Sequence, residues 1–196
     1  MHTIQSLAVY AASSNLVPPS YFKAAQRLGK ILASEHIRLV YGGGHAGLMG
    51  AIADAVLLNG GEAIGVIPQF MVEQGWEHQG CTELVITKDM HERKSFIAEK
   101  ADAFVALPGG IGTFEELLEI LTWKQLGLHT KPVALLNTEG YYNNLLQCFR
   151  QMVDMHLMRS VHLEDMMTIA ATPEEVLPKL RQAPVWDKSV RKAAQI

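Results

Sequence analysis

Short apolar runs alternate along the chain with longer segments in which apolar residues recur at helical spacing. Continuous short apolar runs predict buried strands, and the longer periodic segments predict helices that pack one face on a core. The predicted strands lie at residues 4–10, 37–41, 62–67, 84–87, 103–107, 132–136 and 167–170. The predicted helices lie at 21–34, 90–100, 114–126, 142–155 and 173–181, another runs from the glycine-rich turn at 42–50 to about 59, and a short helix and a loop fill 70–80.

The predicted strands are uninterrupted apolar runs, which indicates that both faces of the sheet are covered. Their regular alternation with helices is typical of a parallel, doubly wound α/β sheet with helices on both faces. The chain is long enough for one sizeable core and short for two. We expect one domain at 1–183, followed by a mixed, basic tail at 184–196.

The turns after three of the strands are candidates for a ligand site. Ligands of doubly wound sheets bind beyond the carboxyl ends of the strands, where the strand order reverses. The turns after the first, second and fifth strands contain Ser13 and Ser14, the glycine-rich segment 42–47 and a second glycine-rich segment at 109–113. We therefore expect these three turns to face one crevice.

The turn at 109–113 has the strongest chemical signal in the chain. Three glycines, Gly109, Gly110 and Gly112, separate the fifth strand from a helix. A glycine-rich turn before a helix N-terminus can bind a phosphate, because its N–H groups point outward and the helix dipole favours an anion. Two carboxylates, Glu115 and Glu116, follow directly. A phosphate site with acids beside it suggests chemistry on a phosphorylated molecule.

The same residues have a structural interpretation. Thr113 and Glu116 have the spacing of a capping box, in which Thr113 would be the N-cap of a helix and Glu116 would bond back to its backbone. Such a cap stabilises a helix by about 1 kcal/mol without any function. Glu115 and Glu119 would then complement the helix dipole. Spacing alone favours capping over catalysis for Glu116.

Composition and charge narrow the class of protein. The chain has 196 residues, a net charge of −3 and an isoelectric point near 6.2, so nothing favours binding to nucleic acid or to an anionic membrane. Its two cysteines, Cys81 and Cys148, have no disulfide-framework or metal-site spacing. The N-terminus does not resemble a signal peptide, and no apolar segment approaches the roughly 20 residues that span a bilayer. We expect a cytoplasmic protein that requires no metal.

Other motifs are incomplete. The segment 42–47 contains a G-x-G-x-x-G spacing, but it follows the second strand and lacks the acidic partner that binds a ribose, which disfavours a classical dinucleotide site. No G-x-x-x-x-G-K-[ST] sequence is present. His91 and Glu92 lack the second histidine of a zinc protease, and His78 with Cys81 is too sparse for a zinc site. No lysine is marked as a Schiff-base residue for pyridoxal phosphate.

Two motifs together resemble a known family. Residues 108–116 fit the pattern P-G-G-x-G-T-x-x-E, and the sequence Met-His-Glu-Arg-Lys lies upstream at 90–94. This pair is similar to the LONELY GUY (LOG) family and is far more specific than any single glycine-rich loop. The resemblance covers about residues 5–180 and extends to the segments 42–50, 65–68, 121–127 and 131–142.

The resemblance implies a Rossmann-like fold, a homodimer and a phosphoribohydrolase, and we expect no cofactor. Such an enzyme cleaves the N-glycosidic bond of a nucleoside 5'-monophosphate, a cytokinin riboside monophosphate or AMP, to give free base and ribose 5-phosphate. The catalytic residues of the family fall on Arg93 and Glu116. The candidate substrate-binding residues are Ser13, Gly43, Gly44, Met90, Lys94, Gly109, Gly110, Ile111, Gly112, Thr113 and Thr122.

A mechanism follows as a hypothesis. Glu116, kept ionised by a helix N-terminus, would stabilise the positive charge that develops on the ribose, and Arg93 would orient it. Two departures from the family affect the crevice, namely the pair Ala11 and Ala12 in place of a glycine, and His45 in place of a serine. The alternative is a non-catalytic nucleotide- or molybdenum-cofactor-binding carrier, and a third interpretation is a pyridoxal-phosphate decarboxylase.

Overall fold

A seven-stranded parallel sheet forms the centre of the molecule in the computed structural model, which describes residues 1–187. Every strand pairs in parallel with its neighbours. The strands are Ser6–Tyr10 (β1), Arg38–Tyr41 (β2), Ala63–Pro68 (β3), Glu83–Thr87 (β4), Ala103–Ala106 (β5), Val133–Leu136 (β6) and Thr168–Ala170 (β7).

Helices connect successive strands. They are Pro19–Ser34 (α1), Gly47–Leu58 (α2), Gln69–Val72 (α3), Met90–Lys100 (α4), Ile111–Gln125 (α5), Asn143–Asp154 (α6), Ser160–Asp165 (α7) and Pro173–Gln182 (α8), with a 3₁₀ turn at Thr138–Gly140. Parallel strands require such crossovers because each strand must return to the same end of the sheet.

Two buried clusters cover the two faces of the sheet. On β1, Leu7 and Val9 join the cluster that contains α1, α2 and α8, whereas Ala8 and Tyr10 join the one that contains α4, α5 and α6. The alternation follows from the pleat, which sends successive side chains to opposite faces. All four residues are buried, so β1 is apolar throughout. The predicted doubly wound α/β class is therefore confirmed.

The strand order is β4-β3-β2-β1-β5-β6-β7. From β1 the chain builds outward to β4, and then returns to add β5 on the other side of β1. The connections on the two sides leave in opposite directions, which opens a crevice beyond the carboxyl ends of β1 and β5. The two loops that bound this crevice begin at Ala11 and Leu107.

The predicted elements agree with the structure within a few residues at most ends. Asp89 is the N-cap of α4, as predicted, and its carboxylate accepts the Glu92 N–H at 2.8 Å. The sequence pattern missed α7, whose six residues are too few to establish helical periodicity. Of the predicted tail, the structure describes 184–187, where Trp186 is buried against Lys124, and the remaining residues lie outside the described part of the chain.

The predicted capping box at the start of α5 is wrong. The helix begins at Ile111, three residues before the predicted start at Phe114, and Gly110 is its N-cap. The Phe114 N–H already bonds to the Gly110 carbonyl at 3.1 Å. Thr113 therefore lies inside the first turn, and no side chain caps this end. Glycine is an accepted N-cap residue, so the helix could begin earlier than the threonine signal indicated.

Candidate active site

A cavity of about 690 Å³ lies beyond the carboxyl ends of β1, β2 and β5. All three predicted turns line it, with Ser13 from the first, Gly44 from the second and Gly110 from the third. A second cleft of about 590 Å³ lies at the opposite, amino end of the sheet, around Arg38 and Asp102. Only the first cleft lies at the edge of the sheet where doubly wound folds bind ligands.

The two glycine-rich turns differ in whether their helix N-termini are free. At α2, the Gly47 N–H donates to Asn15 Oδ1 at 2.8 Å, and the Leu48 and Met49 N–H groups donate to the Ala12 carbonyl at 2.8 and 3.3 Å. At α5 no side chain caps the first turn, which faces the cavity. The first N–H groups of a helix have no partner within the helix itself. The N-terminus of α5 is therefore the one suited to an anion.

Arg93 extends from α4 to the lining of the cavity and is only 7% exposed. Its Nε donates to the Val66 carbonyl at 3.0 Å, and its Nη2 donates to the Gly42 carbonyl at 3.3 Å. Gly42 is required here, because a Cβ at this position would lie 2.0 Å from Nη2. These contacts hold the guanidinium group in one orientation, with Nη2 3.6 Å from Glu116 Oε1.

Glu116 lies in the second turn of α5 and lines the same cavity. Its Oε1 atom is buried and has no hydrogen-bond partner among the described residues. Burial raises the pKa of this carboxyl above its ordinary value, and the Arg93 charge only partly opposes the shift. The expectation that a helix N-terminus keeps Glu116 ionised is wrong in its cause, because the residue lies beyond the first turn, where the dipole acts. The charges of Arg93 and, to a smaller extent, Lys94 favour the ionised form.

Lys94 does not line the cavity. Its ammonium group bridges α4 to α5 through ion pairs with Glu115 and with Glu119, the latter at 3.1 Å. The expectation that Glu115 and Glu119 serve only the helix dipole did not include these ion pairs. Lys94 lies more than 20 residues away in the sequence, so no local pattern could indicate them. Lys94 thereby connects α4 to the helix that carries Glu116.

The structure brings most of the predicted site residues together. The cavity is lined by Ser13, Gly44, Met90, Arg93, Gly110, Ile111, Gly112, Thr113 and Glu116. Four predicted residues lie outside this lining, namely Gly43, Lys94, Gly109 and Thr122.

Two of these four have clear structural reasons for their positions. Gly43 has a φ of +71°, which side chains rarely adopt, and a Cβ at this position would lie 3.1 Å from the Ile67 Cβ and the Val66 nitrogen of β3. Thr122 is on the exposed side of α5, and its hydroxyl donates to the Leu118 carbonyl at 2.7 Å. It lies more than two helical turns beyond Thr113 on α5, outside the lining of the cavity.

Sequence reasoning missed an apolar wall of the cavity. It is formed by Met49, Ile67, Met71 and Trp76, which line the cavity together with the two glycine-rich turns. Methionine adapts to irregular ligands, and the half-exposed Trp76 offers a flat aromatic face. The sequence indicated only an irregular segment at 70–80, and nothing in it showed that Met71 and Trp76 would line the cavity.

Two residues at the departures noted in the sequence, Ala12 and His45, form bonds to neighbouring turns. The Ala12 carbonyl accepts the two α2 N–H groups described above, which keeps the first turn close to the second. His45 bonds through Nδ1 to the Trp76 carbonyl at 3.1 Å, and so fastens the apolar wall to the second turn. Among residues 1–187, no group of three or more His, Cys, Asp or Glu side chains could hold a metal ion. Within the same residues, no helix is long and apolar enough to cross a membrane.

Solved structures share the fold. The molybdenum cofactor binding protein from Rippkaea orientalis superposes with a TM-score of 0.70 at 20% identity, over 92% of this chain and 97% of that one. The molybdenum cofactor carrier protein of Chlamydomonas reinhardtii gives a TM-score of 0.70 at 21% identity, over 92% and 98% of the two chains. At such identities the likeness shows the architecture alone.

Sequence relatives are closer. The family model described as "Possible lysine decarboxylase" matches residues 49–180. A rice protein (Oryza sativa subsp. japonica) named "Probable cytokinin riboside 5'-monophosphate phosphoribohydrolase LOGL6" is 44% identical over 187 residues, which cover 95% of this chain and 74% of the relative. The Arabidopsis thaliana enzyme named "Cytokinin riboside 5'-monophosphate phosphoribohydrolase LOG7" is 49% identical over 148 residues, 76% of this chain and 68% of the relative. With both signature motifs in one cavity and identities of this size, the chain belongs to the LONELY GUY (LOG) family.

Proposed function

We propose that the protein hydrolyses the N-glycosidic bond of nucleoside 5'-monophosphates, with AMP and cytokinin riboside 5'-monophosphates as substrates. The observation that carries this proposal is the buried Oε1 of Glu116, which has no hydrogen-bond partner among the described residues and lies 3.6 Å from Arg93 in a cavity that also contains the N-terminus of α5, which no side chain caps. An anion site and a fixed carboxylate in one cavity suit a substrate that has a phosphate at one end and develops positive charge nearby.

The phosphate would bind at the first turn of α5. Gly110 and Gly112 line the cavity, and a Cβ built on either one meets nothing within 4 Å. This open space lets a phosphate approach the backbone N–H groups closely. Binding energy from the phosphate, which does not react, can then be used to position the sugar.

Glu116 and Arg93 would act on the ribose. When the C1'–N bond breaks, its electron pair leaves with the base, and the ribose develops positive charge around C1'. The ionised Glu116 carboxylate stabilises that charge and orients a water molecule, whose oxygen bonds to C1' while its proton is passed to the departing base. Arg93 holds the carboxylate in place through its fixed guanidinium group.

The base would occupy the apolar end of the cavity. Met49, Met71 and Trp76 provide a surface for a purine ring and for an apolar group on its exocyclic nitrogen. The names of the relatives, which specify cytokinin riboside monophosphates, support this choice.

Release of free base tests the proposal. The protein is incubated with AMP, adenosine and isopentenyladenosine monophosphate, and the products are separated by chromatography. We expect free base from the two monophosphates and little from adenosine. Absence of base from both monophosphates would refute the proposed activity, and equal cleavage of adenosine would refute the phosphate site.

The carrier and decarboxylase alternatives have less support. The carrier proteins share only the fold at 20–21% identity, whereas the named hydrolases reach 44–49%. Burying a carboxylate costs folding free energy, and binding without catalysis does not require one beside an arginine. A decarboxylase that binds pyridoxal phosphate would show the visible absorbance of that group after purification, and we expect none.

A homodimer in the cytoplasm completes the proposal. The exposed side of α5 and the following loop carry Leu118, Leu126 and Leu128, each more than 40% exposed. Apolar side chains grouped in this way are typical of interaction surfaces. Light scattering after size exclusion should give twice the mass of the chain, and Leu118→Arg should shift the equilibrium toward the monomer. A wild-type monomer at all concentrations would contradict the dimer.

A further inference from the structure

Three consecutive carbonyl groups lead into the turn before α5, and all three accept hydrogen bonds from other parts of the protein. The Leu107 carbonyl accepts the Tyr142 hydroxyl at 2.6 Å. The Pro108 carbonyl accepts the Ala12 N–H at 3.2 Å, and the Gly109 carbonyl accepts the Tyr141 hydroxyl. The orientation of each peptide in the turn is therefore set from outside the turn.

Each of these bonds also determines where an N–H group points. In a planar trans peptide, the C=O and the following N–H point in opposite directions. The bond from Tyr141 to the Gly109 carbonyl therefore directs the Gly110 N–H to the other side, and Gly110 lines the cavity. The bond from Tyr142 acts on the Leu107–Pro108 peptide, which has no N–H to direct.

We propose that Tyr141 is a positioning residue for anion binding, acting through the Gly109–Gly110 peptide, whereas the hydroxyl of Tyr142 has a structural role only. The proposal rests on the phosphate site of the proposed function. Both residues of this peptide are glycines, for which a reversed orientation is sterically accessible. Without the Tyr141 hydroxyl the peptide is free to rotate and to present its carbonyl oxygen to the anion.

The Tyr141 ring is held firmly enough for this role. It packs edge-on against Tyr142 at 4.9 Å and against Tyr21 at 5.9 Å, and lies 6.2 Å from Phe114. Asn137 anchors the loop that carries it, by accepting the Tyr142 N–H at 2.7 Å. Burial raises the pKa of the Tyr142 phenol, which remains a proton donor. Because these ring contacts hold Tyr141 in place, its hydroxyl donor orients the turn before a ligand binds.

The two tyrosines provide a matched pair of variants. Tyr141→Phe and Tyr142→Phe each remove one hydroxyl and keep the ring. Calorimetry with ribose 5-phosphate measures anion binding without turnover, and adenosine serves as the ligand without a phosphate. For Tyr141→Phe we expect about tenfold weaker binding of ribose 5-phosphate, the effect of a misdirected donor to a charged group, with adenosine affinity unchanged. In kinetics with AMP, KM should rise by a similar factor and kcat should change little.

For Tyr142→Phe we expect wild-type affinity for ribose 5-phosphate together with a lower melting temperature, because the Leu107 carbonyl loses its partner. Wild-type binding by Tyr141→Phe, or equal weakening by both variants, would overturn the inference. The same holds if the wild-type protein binds AMP no more tightly than adenosine. Base release is measured separately, so a protein that shows the Tyr141 effect without hydrolysis would refute the proposed activity and leave this inference standing.

Discussion

Glu116→Gln tests the central residue of the site, because it removes one charge and leaves the shape of the side chain almost unchanged. Oε1 of Glu116 has no hydrogen-bond partner in the described chain, so the substitution breaks no hydrogen bond at that atom and removes only the charge that faces Arg93 Nη2 at 3.6 Å. Arg93 keeps its bonds to the carbonyl groups of Val66 and Gly42. The variant therefore isolates the electrostatic contribution of the carboxylate.

The size of the effect follows from Coulomb's law. Two unit charges about 4 Å apart attract by about 4 kcal/mol at the effective dielectric typical of protein sites. The developing charge on the ribose is fractional, so the stabilisation lies between about 2 kcal/mol for half a charge and the full-charge limit of about 4 kcal/mol. This corresponds to a loss of about 30- to 1,000-fold in kcat when the charge is removed. Loss of one preorganised transition-state contact in other enzymes has a similar cost, about 10²–10³-fold.

The stability of the variant should change in the opposite direction. The pKa of Glu116 is raised in the folded protein, so its ionised form costs free energy of folding. That cost is absent below the pKa of the unfolded chain and complete above the pKa of the folded protein. Glu116→Gln should therefore be at least as stable as the wild type at pH 7, and the difference should disappear as the pH falls toward 4.

Initial rates of base release from AMP and thermal melts between pH 4 and 8 measure both effects. Glu119→Gln is the matched control, because it removes a carboxylate one turn further along α5 that pairs with Lys94 outside the cavity lining. The control should keep wild-type activity. A Glu116→Gln variant with more than half of the wild-type kcat would refute the electrostatic role. A loss of stability at pH 7 would contradict the folding cost assigned to the ionised carboxylate.

Other changes at the site and in the core have distinct expected outcomes. Activity should fall on acidification at a higher pH than for an ordinary carboxyl, because the ionised form of Glu116 is required and its pKa is raised; a pH–rate profile that is flat down to pH 4 would contradict this. Arg93→Lys should lower kcat by about 10²-fold with the fold retained, since a lysine cannot reproduce the forked contacts, and wild-type kcat would refute the role of the fork. Gly110→Ala should fold normally, because its Cβ would meet no atom within 4 Å, but should bind ribose 5-phosphate poorly. Gly109→Ala should lower the melting temperature, because its Cβ would lie 2.1 Å from the Thr113 hydroxyl oxygen. Wild-type affinity for ribose 5-phosphate in Gly110→Ala, measured by calorimetry, would place the anion elsewhere. Burial lowers the pKa of Lys124 to about 8, so the unfolded chain binds more protons between pH 8 and 10.5, and stability should rise with pH in this window in the wild type but not in Lys124→Met.

The sequence determined the architecture and the position of the site. Strands and helices are formed by residues close together in the sequence, so the apolar runs and periodic segments were enough to predict them. All seven strands were predicted in this way. The order of strands and helices then implied a crevice at the carboxyl ends, and three turns do meet there. Local signals such as the Asp89 cap also held, because a cap involves only residues close in the chain. The paired motifs identified the family before any contact was known.

The tertiary structure decided what each residue does in that crevice. Both glycine-rich turns precede helices, but Ala12 and Asn15 occupy the first N–H groups of α2 and leave those of α5 free. Thr113 and Glu116 have capping spacing, yet the helix begins earlier and places Glu116 beside Arg93.

Arg93 and Lys94 are adjacent cations of one motif, but only Arg93 lines the cavity. Lys94 forms ion pairs with two glutamates of α5. Tyr141, far along the chain, bonds to the carbonyl group that sets the direction of the Gly110 N–H. Each of these outcomes depends on which distant groups compete for a donor or acceptor. Spacing along one chain carries no information about that competition, so only the packed molecule could resolve it.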